Sequence, residues 1–412
     1  MIGYNIKSVV STIFSFEMVF VLYLFAGRFK NDPRFEWVPI DLTIFFLLTS
    51  VGAALWVLYK RRWRFRRQAL TLAALFILFV SYTLLSFFWT PSILYATEKL
   101  GYFAILTLWP FLACTIIISD ERPRIKRFAL IIVGLSIWFV VESLIAFSLS
   151  DSPGQQIDAL GGRYLGVGRV IGPAAMVLIV YSVFSTRAAV RFASFTLFGL
   201  YIATLLLIGG RGPFIATIFP LTILIYYAVN VSLYEGDIRI RKYILPLLIF
   251  IILGIVFLLS YGSERTFSTA RRMSGLLGNP DASTSIRLVM YGQALDVWAQ
   301  RPLFGAGIGA WPVMAGWGDQ RMYPHNIVLE VLSEFGFVGL VLLVTPFIYA
   351  LWHFIHNQVA KHDTLDVLVL LLVGNALINA MFTGDLTDNR ILFAFLGLLI
   401  LRNRHPEGQQ YV

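Results

Sequence analysis

The sequence predicts an all-α, polytopic integral membrane protein. Of 412 residues, 58% are hydrophobic and 14% charged, with mean hydropathy +0.77, which leaves too few polar side chains to coat a soluble globule. Apolar runs of about 20 residues recur, the length that crosses a hydrocarbon core as a helix. The near absence of alternating polarity argues against a membrane β-barrel. The single cysteine, Cys114, lies inside an apolar run, so neither a disulfide framework nor a thiolate metal site is available.

In chain order, apolar runs bounded by charges predict spans over 9–26, 38–59, 69–89, 100–119, 128–148, 170–186, 192–209, 213–230, 243–261, 326–350, 365–383 and 389–402, about twelve crossings. The N-terminus lacks a short apolar core followed by a small-residue cleavage site, so the first run is expected to be a retained span. The pair flanking Gly209-Gly210-Arg211-Gly212-Pro213 reads as two helices or as one broken helix. No internal repeat or soluble domain is visible; residues 1–412 read as a single transmembrane domain with an inserted loop over 262–325.

Charge distribution sets the expected orientation. With a cytoplasmic N-terminus, the inside segments carry Lys60, Arg61, Arg62, Arg64, Arg66 and Arg67, then Arg122, Arg124, Lys126 and Arg127, and further cations at each later inside turn. The short outside loops carry fewer, Lys99, Arg163, Arg169 and Arg211 among them. This is the positive-inside pattern, so the net +10 reads as topogenic and not as nucleic-acid binding. Both termini are then cytoplasmic, and the long loop, the Gly161–Arg169 turn and Arg211 lie outside.

The long loop is the one extended polar interruption and carries Arg265, Arg271, Arg272, Arg287, Arg301 and Arg321 with few acids. Within it, Asp281 to Ser285 reads as a helix cap, followed by a surface amphipathic helix that Arg301-Pro302 ends, with Arg287 in its first turn. Gly305-Ala306-Gly307-Ile308-Gly309 then reads as a tight turn that needs glycine dihedrals. It is not a dinucleotide fingerprint, because no strand precedes it.

Candidate chemistry gathers at the outside face. His325 heads an apolar helix, where unpaired amides and the macrodipole disfavour an imidazolium; a neutral ring there can act as a general base, or it can simply cap the helix. Arg211, among glycines at a helix entry, suits a phosphate, with interfacial snorkelling as its plain alternative. Arg287 divides the same way, and Arg163 and Arg169 are weaker members of the set. Asn326, Glu330 and Glu334 form a polar strip on the His325 helix, with Gly336 and Gly339 expected to allow close helix contact. Glu17 and Glu142 fall inside spans, as functional or paired structural acids. No carboxylate pair offers a divalent-metal site on the outside face, so chemistry without metal or cofactor is expected.

His325-Asn326, nine residues, Gly336, two residues and Gly339 resembles the His-[Asn/Ser/Gln]-x9-Gly-x-x-Gly signature of bacterial O-antigen ligases. Arg287 and Arg301-Pro-Leu-Phe-Gly-Ala-Gly-Ile-Gly309 are similar to the block that precedes it in the ligase and polymerase superfamily. The resemblance implies a GT-C-type inner-membrane glycosyltransferase with a periplasmic site. It implies transfer of a glycan from undecaprenyl pyrophosphate to a sugar hydroxyl of lipid A-core. His325 corresponds to the family's base and Arg211 and Arg287 to its diphosphate-binding arginines.

Three alternatives stay open at this level. An O-antigen polymerase uses the same donor but tends to have two sizeable arginine-rich loops, and Ser150–Arg169 is short. A protein O-oligosaccharyltransferase often carries a larger C-terminal extension. A lipid-glycan transporter is expected to show charges along a central path, of which these spans show little.

Overall fold

The computed structural model describes residues 12–150, 155–226, 268–274, 282–357 and 363–402. Among them regular structure is helical, with one isolated bridge between Ala159 and Gly162. The helices are α1 (Phe16–Phe25), α2 (Leu42–Lys60), α3 (Arg67–Leu85), α4 (Leu94–Ile118), α5 (Arg122–Ser148), α6 (Tyr164–Phe184) and α7 (Ala188–Ile208). They continue with α8 (Arg211–Ile218), α9 (Ser268–Ser274), α10 (Ala282–Gln300), α11 (Ala310–Met314), α12 (Ile327–Asn357), α13 (Thr364–Phe382) and α14 (Arg390–Leu398).

Eight helices among the described residues are long and apolar enough to cross a membrane: α2, α3, α4, α5, α6, α7, α12 and α13. Eight of the twelve expected runs coincide with these helices. The run at 389–402 forms only the nine-residue α14, about 14 Å at 1.5 Å per residue, under half of a hydrocarbon core. Within 9–26 the described helix is the ten-residue α1, and 213–230 is described as far as Tyr226, within the shorter apolar helix Arg211–Tyr226 that α8 begins. The span expected at 243–261 lies outside the described residues.

Two compact units emerge. The first comprises Met1–Ala53, Ile125–Asp281 and Lys361–Asn379. Its centre is α6, buried along most of its length because small residues let neighbours approach. A side chain at Gly168 would meet Pro213, and one at Gly172 would meet the Asn375 amide and the Thr217 hydroxyl. Asn375 Nδ2 donates to the Ala216 carbonyl at 2.9 Å, which fastens α13 to α8. Both intramembrane acids of this unit are paired: Glu17 accepts from Arg127 at 3.1 Å, and Glu142 from Arg34 at 2.6 Å.

The second unit comprises Ala54–Arg124, Ala282–Ala360 and Ala380–Val412. Phe76, Phe103, Phe111 and Phe393 stack at its centre, with Phe76 and Phe111 centroids 4.1 Å apart. At one end, Arg66 is buried and donates to the Ile400 carbonyl and the Ser119 hydroxyl, both at 2.7 Å, and pairs with Asp120 at 2.9 Å. Arg66 therefore does more than set topology. It ties the entry of α3 to the end of α4 and to the chain after α14.

Candidate active site

In the second unit, the entry of α12 carries His325. Its backbone adopts φ +58°, the left-handed region that non-glycine residues rarely occupy, and its imidazole meets the Tyr323 ring edge-on at 4.6 Å. The helix cap is Asn326, whose Oδ1 accepts from the amides of Val328 at 3.0 Å and Leu329 at 3.1 Å. Asn326 thus performs the capping that His325 was the alternative candidate for. His325 sits immediately before this cap, half-buried.

Ten residues further, α12 is broken at Gly336, whose φ +64° and ψ −164° are open essentially to glycine alone. The glycine-spaced turn repairs the break. Ala306 and Gly307 amides donate to the Ser333 and Glu334 carbonyls at 3.0 and 2.7 Å, while Phe337 and Val338 amides donate to Pro302 and Leu303 carbonyls at 2.8 and 3.0 Å. Each group orphaned by the break finds a partner in the turn. Gly305, Gly307 and Gly309 all have positive φ, as the spacing predicts. A side chain at Gly305 would strike the Glu334 backbone, and one at Gly336 the Leu303 carbonyl. The expectation that Gly336 serves close helix packing is therefore corrected: it permits a helix break against a loop. Tyr82 on α3 adds hydroxyl bonds to the Phe304 and Phe335 carbonyls at 3.1 Å each.

Beneath this entry lies a buried charge network that the sequence conceals. Lys99 is fully buried, with its ammonium 2.5 Å from Glu330 and 2.6 Å from Glu334. Placing Lys99 at an outside loop is thereby corrected, because α4 starts at Leu94, six residues before the expected boundary. Glu330 Oε1 also accepts the Leu386 amide at 3.0 Å. Asp385, buried in the same turn, accepts from the Tyr95 hydroxyl at 3.0 Å, the Thr387 hydroxyl at 2.7 Å and the Asp388 amide at 2.7 Å. Glu330, fully buried, is thus held between the Lys99 ammonium and the Leu386 amide.

The loop before His325 is fixed at both ends. Asp319 accepts from the Ser92 hydroxyl at 2.6 Å and from the Ile93, Leu94 and Tyr95 amides at 2.8 to 3.0 Å, capping α4. Burial pushes the Asp319 carboxyl up, but these four donors outweigh it and hold the group well below the usual carboxylate range. Arg321 lies 3.5 Å from Asp385 and 3.2 Å from Asp388. Burial alone would lower its pKa; the Asp385 and Asp388 carboxylates outweigh that, raise it above the usual value and keep the guanidinium charged.

Arg287 stands on α10, in its second turn and not its first, because the helix begins at Ala282. Met290, Ala294 and Val297 of α10 pack with Ala306, Ala310 and Trp311, and Met322 and Leu329 border the same cluster. The helix bearing Arg287 is therefore packed against the turn and the first residues of α12. Its other face exposes Leu288, Val289 and Leu295.

The first unit holds Arg211, Arg163 and Arg169. Gly209, at φ +93°, ends α7, and Arg211 starts α8 directly after it. The Gly209-Gly210 pair thus divides two helices. Arg211 Nη1 donates to the Arg272 carbonyl at 3.1 Å, and Arg272 Nη1 donates to the Gly209 carbonyl at 2.9 Å, a reciprocal tie that puts two guanidiniums at one turn. Arg272 also lies over the Tyr164 ring at 5.8 Å. Arg163 is exposed immediately before α6. Arg169 is not in a turn as expected: α6 begins at Tyr164, which carries Arg169 into the helix, where it is buried. Arg272, one of the arginines of the long loop, is the cation bonded to the Arg211 turn. Arg265 lies outside the described residues.

The first unit therefore presents two guanidiniums at one turn, suited to a phosphate group, and the second unit an imidazole on a strained backbone just before a helix. No curated protein matches the chain. Residues 195–344 match the family model described as O-antigen ligase. Arg211, Arg272, Arg287, the glycine turn, His325 and Gly336 all fall inside that match, so this segment of the chain is similar to the O-antigen ligase family.

Proposed function

We propose that the protein is an inverting O-antigen ligase of the GT-C type in the bacterial inner membrane. It transfers a glycan from undecaprenyl pyrophosphate to a sugar hydroxyl of lipid A-core on the periplasmic side, both termini being cytoplasmic and residues 262–325 an external insert. The observation that carries this reading is the family match over 195–344, which encloses the arginines and the histidine together.

In the proposed reaction Arg211 and Arg287 hold the diphosphate, with Arg272 fixing the Arg211 turn and Arg163 near the same helix entry. His325 accepts the proton of the acceptor hydroxyl as its oxygen bonds to the anomeric carbon. The carbon–oxygen bond to the diphosphate breaks, and its electron pair leaves with undecaprenyl pyrophosphate, whose growing charge the guanidiniums offset. Asn326 contributes by capping α12 and Glu330 by holding Lys99. Both act on the position of His325 and not on substrate. Arg169, buried in α6, contributes to the first unit's packing.

The test is incubation of purified protein with undecaprenyl-pyrophosphoryl glycan and rough lipopolysaccharide, resolved on a gel. Laddered product on lipid A-core that disappears in His325→Ala and in Arg287→Ala supports the assignment. Product on the carrier lipid assigns a polymerase, and transfer by either variant at the parental rate removes that residue from the mechanism.

A further inference from the structure

We propose that the groove between the end of α3 and the turn after α10 binds one anionic phospholipid of the surrounding bilayer, with its phosphate on Arg301 and an acyl chain along the apolar wall. The inference does not depend on the glycan-transfer reading.

The groove lies wholly in the second unit. It encloses about 780 Å³, between Tyr82, Leu85, Phe88 and Trp89 on one side and the chain from Arg301 to Gly305 on the other. That is room for a chain-sized ligand. Every lining side chain except Arg301 is apolar or aromatic. Phe88 is 83% exposed, and Leu85, Leu303 and Phe304 are each more than half exposed. Such a patch is a liability against water and an ordinary contact against lipid. Its depth follows from α3, which rises from the cationic Lys60–Arg67 segment and whose apolar span ends at Phe88. The groove thus sits where a spanning helix leaves the hydrocarbon, the level at which headgroups meet acyl chains and tyrosine and tryptophan are favoured.

Arg301 selects the headgroup. It is exposed just past the end of α10, and among the described residues its guanidinium makes no hydrogen bond or ion pair. No acid lines the groove, so nothing in its wall compensates that charge. The apolar surroundings strengthen its attraction for an anion, and a guanidinium holds a phosphate through two parallel N–H bonds. A lone cation matches the single negative charge of a phosphodiester. A diphosphate carries more and is better served by the two guanidiniums at the Arg211 turn. With no carboxylate in the wall to receive an ammonium headgroup, phosphatidylglycerol fits better than a zwitterionic lipid.

Occupancy has a structural consequence. The Pro302 and Leu303 carbonyls on this wall accept the Phe337 and Val338 amides, and Tyr82 donates to the Phe304 and Phe335 carbonyls. A lipid seated here therefore braces the turn that closes the break in α12, and stabilises the folded protein by mass action.

The test titrates purified, delipidated full-length protein with phosphatidylglycerol and, separately, with phosphatidylcholine, read by native mass spectrometry and by the unfolding midpoint in detergent. One phosphatidylglycerol is expected to be retained in preference to phosphatidylcholine and to raise the midpoint. Its affinity is expected to fall about tenfold in Arg301→Gln and about threefold or more in Phe88→Ala. Equal retention of the two lipids, unchanged phosphatidylglycerol affinity in Arg301→Gln, or a midpoint that the lipid does not move would each overturn the proposal. Arg301-dependent binding of undecaprenyl pyrophosphate that phosphatidylglycerol cannot displace would assign the groove to the glycan donor instead, and a dimer that excludes the lipid would assign it to a second copy of the chain. If Arg301→Gln does not fold, Phe88→Ala decides, and unchanged affinity there overturns the site.

Discussion

Lys99 and Glu334 are joined at 2.6 Å in a site where neither side chain reaches solvent, 235 residues apart in sequence. With Glu330 the ammonium serves two carboxylates, so its removal strands both. Lys99→Met is expected to destabilise the protein by about 3–5 kcal/mol, the usual cost of an uncompensated buried charge. Adding Glu330→Gln and Glu334→Gln to that variant is expected to recover most of the loss. Thermal unfolding in detergent checks both, and equal midpoints for Lys99→Met and the parental protein would refute the account.

The φ of His325 gives a way to separate backbone from chemistry. Asparagine tolerates the left-handed region better than most residues, so His325→Asn is expected to keep the fold. Transfer is expected to fall by about 10²–10⁴, the share general base catalysis supplies. Retained activity in a folded His325→Asn protein would assign the imidazole a structural part only.

Gly336→Ala is expected to cost about 1–3 kcal/mol from backbone conformation alone. A further loss arises because the new methyl meets the Leu303 carbonyl and the Gly305 amide. The readout is the unfolding midpoint together with yield of inserted protein. Gly134→Ala, where a methyl meets nothing within 4 Å, is the control and is expected to be neutral or slightly stabilising.

Asp319 gives a pH dependence with a definite sign. Its folded-state carboxyl lies below the unfolded value, so its stabilisation is present above the unfolded pKa of about 3.9 and is lost as pH falls through the folded one. The stability difference between parental protein and Asp319→Asn is expected to be about 1–2 kcal/mol. It should stay constant from neutral pH down to about pH 5 and shrink below pH 4. A difference that grows on acidification would contradict the four-donor arrangement.

Much of this molecule was legible from residue pattern. Apolar run length located eight of the spans, with several ends displaced by more than a turn, and Gly305, Gly307 and Gly309 announced a turn whose dihedrals only glycine tolerates well. The errors share a cause. The last charge before an apolar run marks a helix start in sequence, yet α4 begins before Lys99 and α6 before Arg169, because each cation is absorbed by the protein interior and not by water. Hydropathy cannot register that. For Lys99 the two carboxylates that make burial tolerable stand on α12, more than two hundred residues away. His353 and His356 likewise fall within α12, which continues past the expected end at 350. Asp385 and Arg321 carried no local signal, since each gains its meaning only when the turn after α13 meets the loop before α12.

The exchange of hydrogen bonds at Gly336 has a mechanical corollary. The stretch from Ile327 to Phe335 shares its last amide–carbonyl bonds with the loop between α10 and α11, so it moves with that loop as one stiff piece. The first residues beyond the glycine, Phe337 and Val338, hang from the same loop, so one turn clasps both halves of the broken helix and sets the angle between them.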